Sequence, residues 1–127
     1  MKVVLDTNAL MVPEQFGVKI FSELQRLGYG EYLVPSQVCQ ELRLLAERAE
    51  KGRDKVAARV GEGLAGQCRT VDVLERDADS AVEKLAILEG AAVFTNDKAM
   101  KKRLSSKGIT VIHLRQGRYL AAMKKEF

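Results

Sequence analysis

Lys2-Val3-Val4-Leu5-Asp6-Thr7-Asn8 and Ala91-Ala92-Val93-Phe94-Thr95-Asn96-Asp97 are built alike. Each is a short apolar run cut off by a polar triplet that contains an aspartate. An apolar run of this length without polar alternation reads as a strand buried on both faces, and such strands belong to parallel sheets covered by helices. Working outward, Glu31-Tyr32-Leu33-Val34 is a further short strand closed by Pro35, Arg69 to Val73 alternates like a strand, and Ile109 to His113 is the last one. Helical spacing lies between them. Phe16, Ile20, Leu24 and Leu27 predict a helix from Phe16 to Leu27, stopped by Gly28 and Gly30. Ser36 is a suitable N-cap for a helix from Gln37 to about Lys51, with Val38, Leu42, Leu45 and Ala49 on one face. Asp54 to Leu64 is a weaker helix. Another opens at Asp77 or Ala78, carries Val82, Leu85, Ala86 and Leu88 or Glu89 as its stripe, and is capped by Gly90. Lys98 to Ser106 is helical and ends at Gly108, and the segment from Leu114 to Phe127 is expected to add one or two helical turns. Strands alternating with helices predict an α/β sandwich with a mainly parallel sheet. The chain reads as one domain, 1–127, with a short basic tail from about residue 115.

Composition narrows the chemistry. The 127 residues include one histidine, His113, and two cysteines, Cys39 and Cys68, in no zinc-like spacing. That set excludes a His/Cys zinc centre and disfavours a Ser-His-Asp triad. Both thiols are expected to be free. No apolar run approaches the roughly 20 residues that span a bilayer, and the first ten residues lack a signal-peptide pattern. A soluble, cytoplasmic protein is the expectation. The net charge of +4 is unevenly distributed: residues 1–97 hold 12 basic and 16 acidic side chains, whereas residues 98–127 hold 9 basic side chains and only Glu126 as an acid. Such asymmetry points to a polyanionic partner or to a solvated basic helix.

The acids are the candidate site. In parallel α/β folds ligands bind beyond the carboxyl ends of strands, which is where Asp6 and Asp97 stand. Glu41 lies one turn inside the helix that follows Pro35, and Asp79 lies in the first turn of the helix before Ala91. Each has a plain alternative: a helix cap for Asp6 and Asp97, an exposed helix position for Glu41, a favourable dipole position for Asp79, with Asp77 as the competing cap. Taken together, four converging carboxylates repel one another unless cations lie between them, and an all-oxygen donor set suits Mg²⁺ or Mn²⁺.

At these residues the chain resembles the PIN-domain nucleases. Val3-Val4-Leu5-Asp6-Thr7-Asn8-Ala9-Leu10 is similar to the opening motif of that family, Pro35-Ser36-Gln37-Val38-Cys39-Gln40-Glu41-Leu42 to its second, Asp79 to its third acid, and Val93-Phe94-Thr95-Asn96-Asp97 with the following Lys98 to Leu104 to its fourth. Each motif is weak alone, but four in order over residues 2 to 115 form a strong signal. Asn96-Asp97-Lys98 and the short length place the likeness nearest the archaeal relatives of the Fcf1/Utp24 ribosomal-RNA processing nucleases, with the VapC toxin branch as the nearest rival. The resemblance implies a three-layer, Rossmann-like α/β/α fold with a central, mainly parallel sheet of about five strands. It implies a Mg²⁺- or Mn²⁺-dependent endoribonuclease in which Asp6, Glu41, Asp79 and Asp97 are the catalytic metal ligands. Position 99 is alanine where some relatives carry another acid, and the zinc cysteines and N-terminal extension of the eukaryotic branch are absent.

Thr7 and Asn8 are expected either to orient metal-bound water or to cap the next helix, and Thr95 to support the pocket by hydrogen bonding. Lys98, Lys101, Lys102 and Arg103 follow the last acid directly and are the candidate RNA-backbone contacts. His113 is assigned no role. The expected partners are RNA, a second copy of the chain in a homodimer, and either an antitoxin or a ribosome-assembly factor. A non-catalytic RNA-binding or assembly protein on the same fold is the competing class.

Overall fold

Val3, Val4 and Leu5 are fully buried, as are Val93 and Phe94, and these two runs lie side by side at the centre of the sheet. The computed structural model describes residues 1–48 and 52–124. Its elements are β1 (Lys2–Leu5), α1 (Thr7–Phe16), α2 (Ile20–Arg26), β2 (Glu31–Pro35), α3 (Ser36–Arg48), α4 (Gly52–Ala65), β3 (Arg69–Val71), α5 (Ala78–Glu89), β4 (Ala92–Phe94), α6 (Lys98–Ser106), β5 (Val111–Arg115) and β6 (Tyr119–Ala122). The strand order is β3-β2-β1-β4-β5-β6, parallel throughout except for β6. From β1 the chain winds outward through β2 to β3, then returns to β4 and winds the other way. Parallel crossovers are right-handed, so the connections of the two halves cover opposite faces. The reversal falls between β1 and β4, the crevice where such sheets bind ligands. The register pairs Leu5 with Phe94 and Phe94 with Ile112, and the Asp6 amide donates to the Phe94 carbonyl at 3.3 Å. The last residues of β1, β4 and the middle of β5 are therefore level.

The α/β reading holds, with corrections in its details. The sheet has six strands rather than about five, because the segment after Leu114 returns as antiparallel β6 instead of forming helical turns. Residues 125–127 of that predicted tail lie outside the described residues. The helix expected from Phe16 to Leu27 is the shorter α2, which begins at Ile20, and it is preceded by an unexpected helix, α1, that ends at Phe16, where Gly17 takes a left-handed φ of 69°. Helix α1 carries Ala9, Leu10, Met11 and Val12 buried in succession. A helix apolar nearly all round has no stripe to detect. On α3 the buried positions are Val38, Leu42 and Ala46, while Leu45 is exposed toward the cleft described below; Ala49 and Lys51 lie outside the described residues. Ser36 opens α3, yet its hydroxyl lies 3.4 Å from Gln37 Oε1 rather than capping a backbone amide. On α5 the inward stripe is Ala81, Val82, Leu85 and Ala86, Leu88 is exposed, and Glu89 pairs with Lys2 and Arg69. Cys39 and Cys68 are free and half-buried, packed against the core, and burial pushes the Cys68 thiol up to about 12. No helix among the described residues is long and apolar enough to cross a membrane.

Candidate active site

Asp6 follows β1 directly and caps α1: its Oδ1 accepts from the Ala9 amide at 2.9 Å. Asp97 stands just beyond β4 and caps α6 in the same way, with Oδ1 accepting from Met100 at 2.7 Å. The parallel register of β1 and β4 brings these two caps to one edge of the sheet. Helix α3 then contributes Glu41, one residue before the buried Leu42, and the first turn of α5 contributes Asp79. All four acids line one open cleft of about 370 Å³, together with Thr7, Asn8, Met11, Leu45, Asp77 and Ala78.

Hydrogen bonding separates the two candidates at the start of α5. Asp77 is its cap, and both of its oxygens are engaged by Ser80: Oδ1 accepts from the amide at 2.7 Å and Oδ2 from the hydroxyl at 3.2 Å. Asp79 has no hydrogen-bond or ion-pair partner among the described residues, and neither has Glu41. Burial raises the pKa of Asp79, and the nearby Asp97 charge raises it further. Asp6 is the extreme case. It is only 5 % exposed, and burial pushes its carboxyl up to about 7, against opposing hydrogen bonds from Thr95 and the Ala9 amide; Asp79 and Asp97 add to the rise. Desolvation and like charge act in the same direction here, leaving an excess of negative charge with no cationic side chain to balance it at Asp6.

The supporting residues divide. Thr7 lines the cleft and is 8 % exposed, and its Oγ1 is buried with no hydrogen-bond partner. Thr95 is fully buried; its Oγ1 accepts from the Asp97 amide at 3.1 Å while its hydroxyl also holds down the pKa of Asp6. It thus bridges the two strand-end acids, as the sequence suggests. Asn8 caps nothing: its Oδ1 accepts from the Asn96 amide at 3.0 Å, and Asn96 Oδ1 in turn accepts from the Leu114 amide at 2.8 Å. This chain staples the ends of β1, β4 and β5 together. Nothing in the sequence around Asn96 marks this task, which comes only from its position between three strand ends.

The basic residues after Asp97 are not equivalent. Lys98 and Lys102 are exposed and have no ion-pair partner among the described residues. Lys101 Nζ lies 3.3 Å from His113 Nδ1. Burial, then the Lys101 and Arg115 charges, lower the pKa of His113, so its ring is neutral and accepts from the ammonium. Arg103 points the other way. It reaches Glu83 at 3.1 Å and the Ser80 hydroxyl at 3.3 Å, tying α6 to α5, and Glu83 also takes Lys107 at 2.9 Å. Arg103 thus ties α6 to α5, in contrast to Lys98 and Lys102, which are unpaired among the described residues.

The donors fit a hard divalent cation in kind: oxygen only, one acid buried, one hydroxyl unpartnered. As they stand, no three His, Cys, Asp or Glu side chains among the described residues converge closely enough to hold an ion. Like charges keep carboxylates apart until a cation lies between them, and Glu41 and Asp79 have no hydrogen bonds to prevent their turning inward.

Comparison with known proteins agrees with this architecture. The PIN-like domain model matches residues 3–117. Over 113 residues the chain is 31 % identical to Ribonuclease VapC9 of Archaeoglobus fulgidus, spanning 89 % of this chain and 82 % of that one. It is 32 % identical over 122 residues to Ribonuclease VapC4 of Methanocaldococcus jannaschii, spanning 93 % of each. Among solved structures, the PIN domain endonuclease Utp24 superposes with a TM-score of 0.76 at 20 % identity, covering 98 % of this chain and 92 % of that one. VapBC2 from Rickettsia felis, bound to a promoter DNA fragment, superposes with a TM-score of 0.64 at 15 % identity, over 89 % of this chain and 98 % of that one. The chain belongs to the PIN-like domain family.

Proposed function

We propose that this PIN-family chain is an endoribonuclease that uses Mg²⁺ or Mn²⁺ held by Asp6, Glu41, Asp79 and Asp97. One observation carries the reading: four acids from four elements line a single cleft at the sheet's reversal point, and the buried one carries a pKa of about 7. Without a cation Asp6 is held partly protonated near neutral pH, and a cation at this point would favour its charged form. When bound, such an ion supplies charge stabilisation to a phosphodiester and acidifies a water molecule. The protein's own groups do the rest. Asp6 and Asp97 are fixed by their helix amides and by Thr95, so they define the floor of the site. Glu41 and Asp79 are free to rotate and close on it from either wall. The Thr7 hydroxyl is buried and unpartnered beside the floor, and a change of its rotamer would let it orient water there. Lys98 and Lys102, beside Asp97, attract the substrate backbone without reading sequence. The VapC-named relatives at 31 % and 32 % identity favour a toxin role, paired with an antitoxin, over ribosomal-RNA processing. The retention of all four acids disfavours a purely RNA-binding assembly factor.

Purified protein should cleave single-stranded RNA with Mn²⁺ or Mg²⁺, leaving 5′-phosphate and 3′-hydroxyl ends, and stop in chelator. Asp79→Asn should remove cleavage while leaving the fold intact, because Asp79 makes no structural hydrogen bond. Cleavage that continues unchanged in excess chelator rejects the metal reading. Growth arrest on expression, relieved by the product of an adjoining gene, would support the toxin role; unaffected growth with an altered ribosomal-RNA end would support processing.

A further inference from the structure

His113 and Arg115 alternate along β5 with Ile112 and Leu114, so their side chains leave the sheet on the same face. Lys101 of α6 contacts His113, which identifies that face as the one beneath α6. Basic character therefore continues from α6 across β5 to Arg115, and the neutral ring of His113 places no acid in its way. Beyond Arg115 the chain turns through Gln116 and Gly117, with φ of 55° and 65°, and the Arg118 amide donates to the Arg115 carbonyl at 3.0 Å. Two left-handed residues in succession form the tight turn that suits the twist of a hairpin. Gln116 is the only non-glycine residue at positive φ among the described residues, a conformation that costs about 1–2 kcal/mol.

The hairpin is nonetheless held firmly. Leu114 donates to Asn96, Asn96 to Asn8, and Leu120 donates to Glu23 Oε1 at 3.0 Å while Arg26 donates to the Leu120 carbonyl at 2.7 Å. Phe16 packs below the tip, where a Cβ on Gly117 would stand 3.5 Å from its ring. The tip thus presents Arg115 and Arg118, both exposed and without ion-pair partners among the described residues, on a rigid support. Glu41, Asp77 and Asp79 line the cleft itself, whereas Lys98 and Lys102 on α6 and Arg115 and Arg118 on the β5–β6 hairpin are exposed and lie outside its lining. From β1 to β5 is two strand spacings, about 10 Å.

We propose that single-stranded RNA runs from the acidic cleft over α6 and β5 only, and that Arg115 and Arg118 on the β5–β6 hairpin grip its backbone at the far end of that path. This rests on the nuclease reading for the cleft, but the hairpin's contribution is measured by binding and not by cleavage. An RNA reaching only the cleft should be indifferent to the hairpin; an RNA long enough to cross α6 should not. The test is fluorescence anisotropy on an Asp79→Asn background, so that RNA stays intact, comparing Arg115→Ala/Arg118→Ala with the parent for a trinucleotide and for an RNA of about twelve nucleotides. Losing two phosphate contacts should lower the salt slope for the longer RNA by about 1.4 and its affinity about tenfold, with no change for the trinucleotide, and Arg→Lys at both positions should restore the slope. An unchanged slope for the longer RNA overturns the proposal. So does an equal loss for both lengths, which would make the hairpin a structural support of the cleft. If the wild type fails to cleave RNA while the length-dependent loss persists, the nuclease reading falls and the path stands; if it cleaves and the loss is absent, the reverse holds.

Discussion

Asp6→Asn should make the metal-free protein more stable, by a margin that grows as the pH rises above about 4 and is complete above about 7. The carboxyl has a pKa of about 7 in the folded chain against an ordinary 3.8. Between those values the native state holds a proton that the unfolded state has released, so stability falls as pH rises through this window and levels off above it. A rise of about three units corresponds to a ceiling of about 4 kcal/mol at 1.36 kcal/mol per unit, and relaxation of the site brings the expected gain to about 1–4 kcal/mol. Asparagine keeps the Oδ1 that accepts from the Ala9 amide and is as good an N-cap as aspartate, so the start of α1 is preserved. The Thr95 hydroxyl can face an amide as well as a carboxylate. Urea unfolding in chelator should therefore give a variant more stable than wild type at pH 8 and equal to it near pH 4, other titrating groups cancelling between the two proteins. Added Mn²⁺ should reverse the order at pH 8. A variant less stable than wild type at pH 8 in chelator would show that the Asp6 charge is structurally useful. A gain of the same size at both pH values would mean that the charge is not its source.

Gly61→Ala should destabilise the fold by about 1–3 kcal/mol despite the better helix propensity of alanine, because the new Cβ would stand 3.0 Å from Leu42 Cδ2 and 3.2 Å from the Leu10 carbonyl oxygen where α4 crosses α3 and α1; a midpoint equal to or above wild type would reject that close approach. Arg103→Ala should cost about 1 kcal/mol by freeing α6 from Glu83, yet leave the salt dependence of RNA binding unchanged, whereas Lys98→Ala with Lys102→Ala should flatten that dependence without loss of stability. The chain should form a homodimer, with Leu44 of α3 and Val56 of α4, 43 % and 45 % exposed, as apolar surface for a partner copy. Light scattering should give twice 14.1 kDa, and a monomer mass at working concentration would reject it.

The parts of this fold that could be read from the sequence are those whose surroundings leave a pattern. Strands β1 and β4 are buried on both faces and appear as unbroken apolar runs ended by polar triplets. Helix α5 has Asp77 before it and Gly90 after it, and both residues cap in the structure as their types suggest. Helix α1 left no such mark, because it is enclosed by α3 and α4 and carries Pro13 in its interior. Strand β6 was missed since Tyr119–Ala122 pairs along only one edge, and the turn that directs it uses Gln116 where asparagine or glycine would have signalled a hairpin. Within the site, Asp6 and Asp97 were legible from the ends of the two apolar runs, and the resemblance to the PIN-domain nucleases pointed to Glu41 and Asp79 beside them. The different tasks of Asn8, Asn96 and Arg103 were not legible, because each depends on a partner many positions away: Asn96 on Leu114, Asn8 on Asn96, Arg103 on Glu83.

Sequence reading set helix capping against metal binding as rival explanations for the strand-end acids, but a carboxylate has two oxygens and the rivalry dissolves. Asp6 and Asp97 each give Oδ1 to the first turn of the helix that follows, which leaves the second oxygen for the cleft. Capping has a further effect. It points two helix N-termini, with their partial positive charge, at the same crevice, and this partly offsets the repulsion among the acids before any cation arrives. The cap also removes rotational freedom, so these two carboxylates need not be ordered when an ion binds. Glu41 and Asp79 lack that restraint and must be ordered at that moment. The expectation is an asymmetry in substitution. Asn at Asp6 or Asp97 keeps the scaffold and loses charge alone, whereas Ala at either position loses the cap as well, at about 1 kcal/mol beyond the charge effect. At Glu41 and Asp79, amide and alanine substitutions should be nearly alike in metal-free stability. Chelator-treated melts of the eight single variants measure both comparisons directly. Equal Asn-to-Ala differences at capped and uncapped positions would mean that the helices do not depend on these carboxylates.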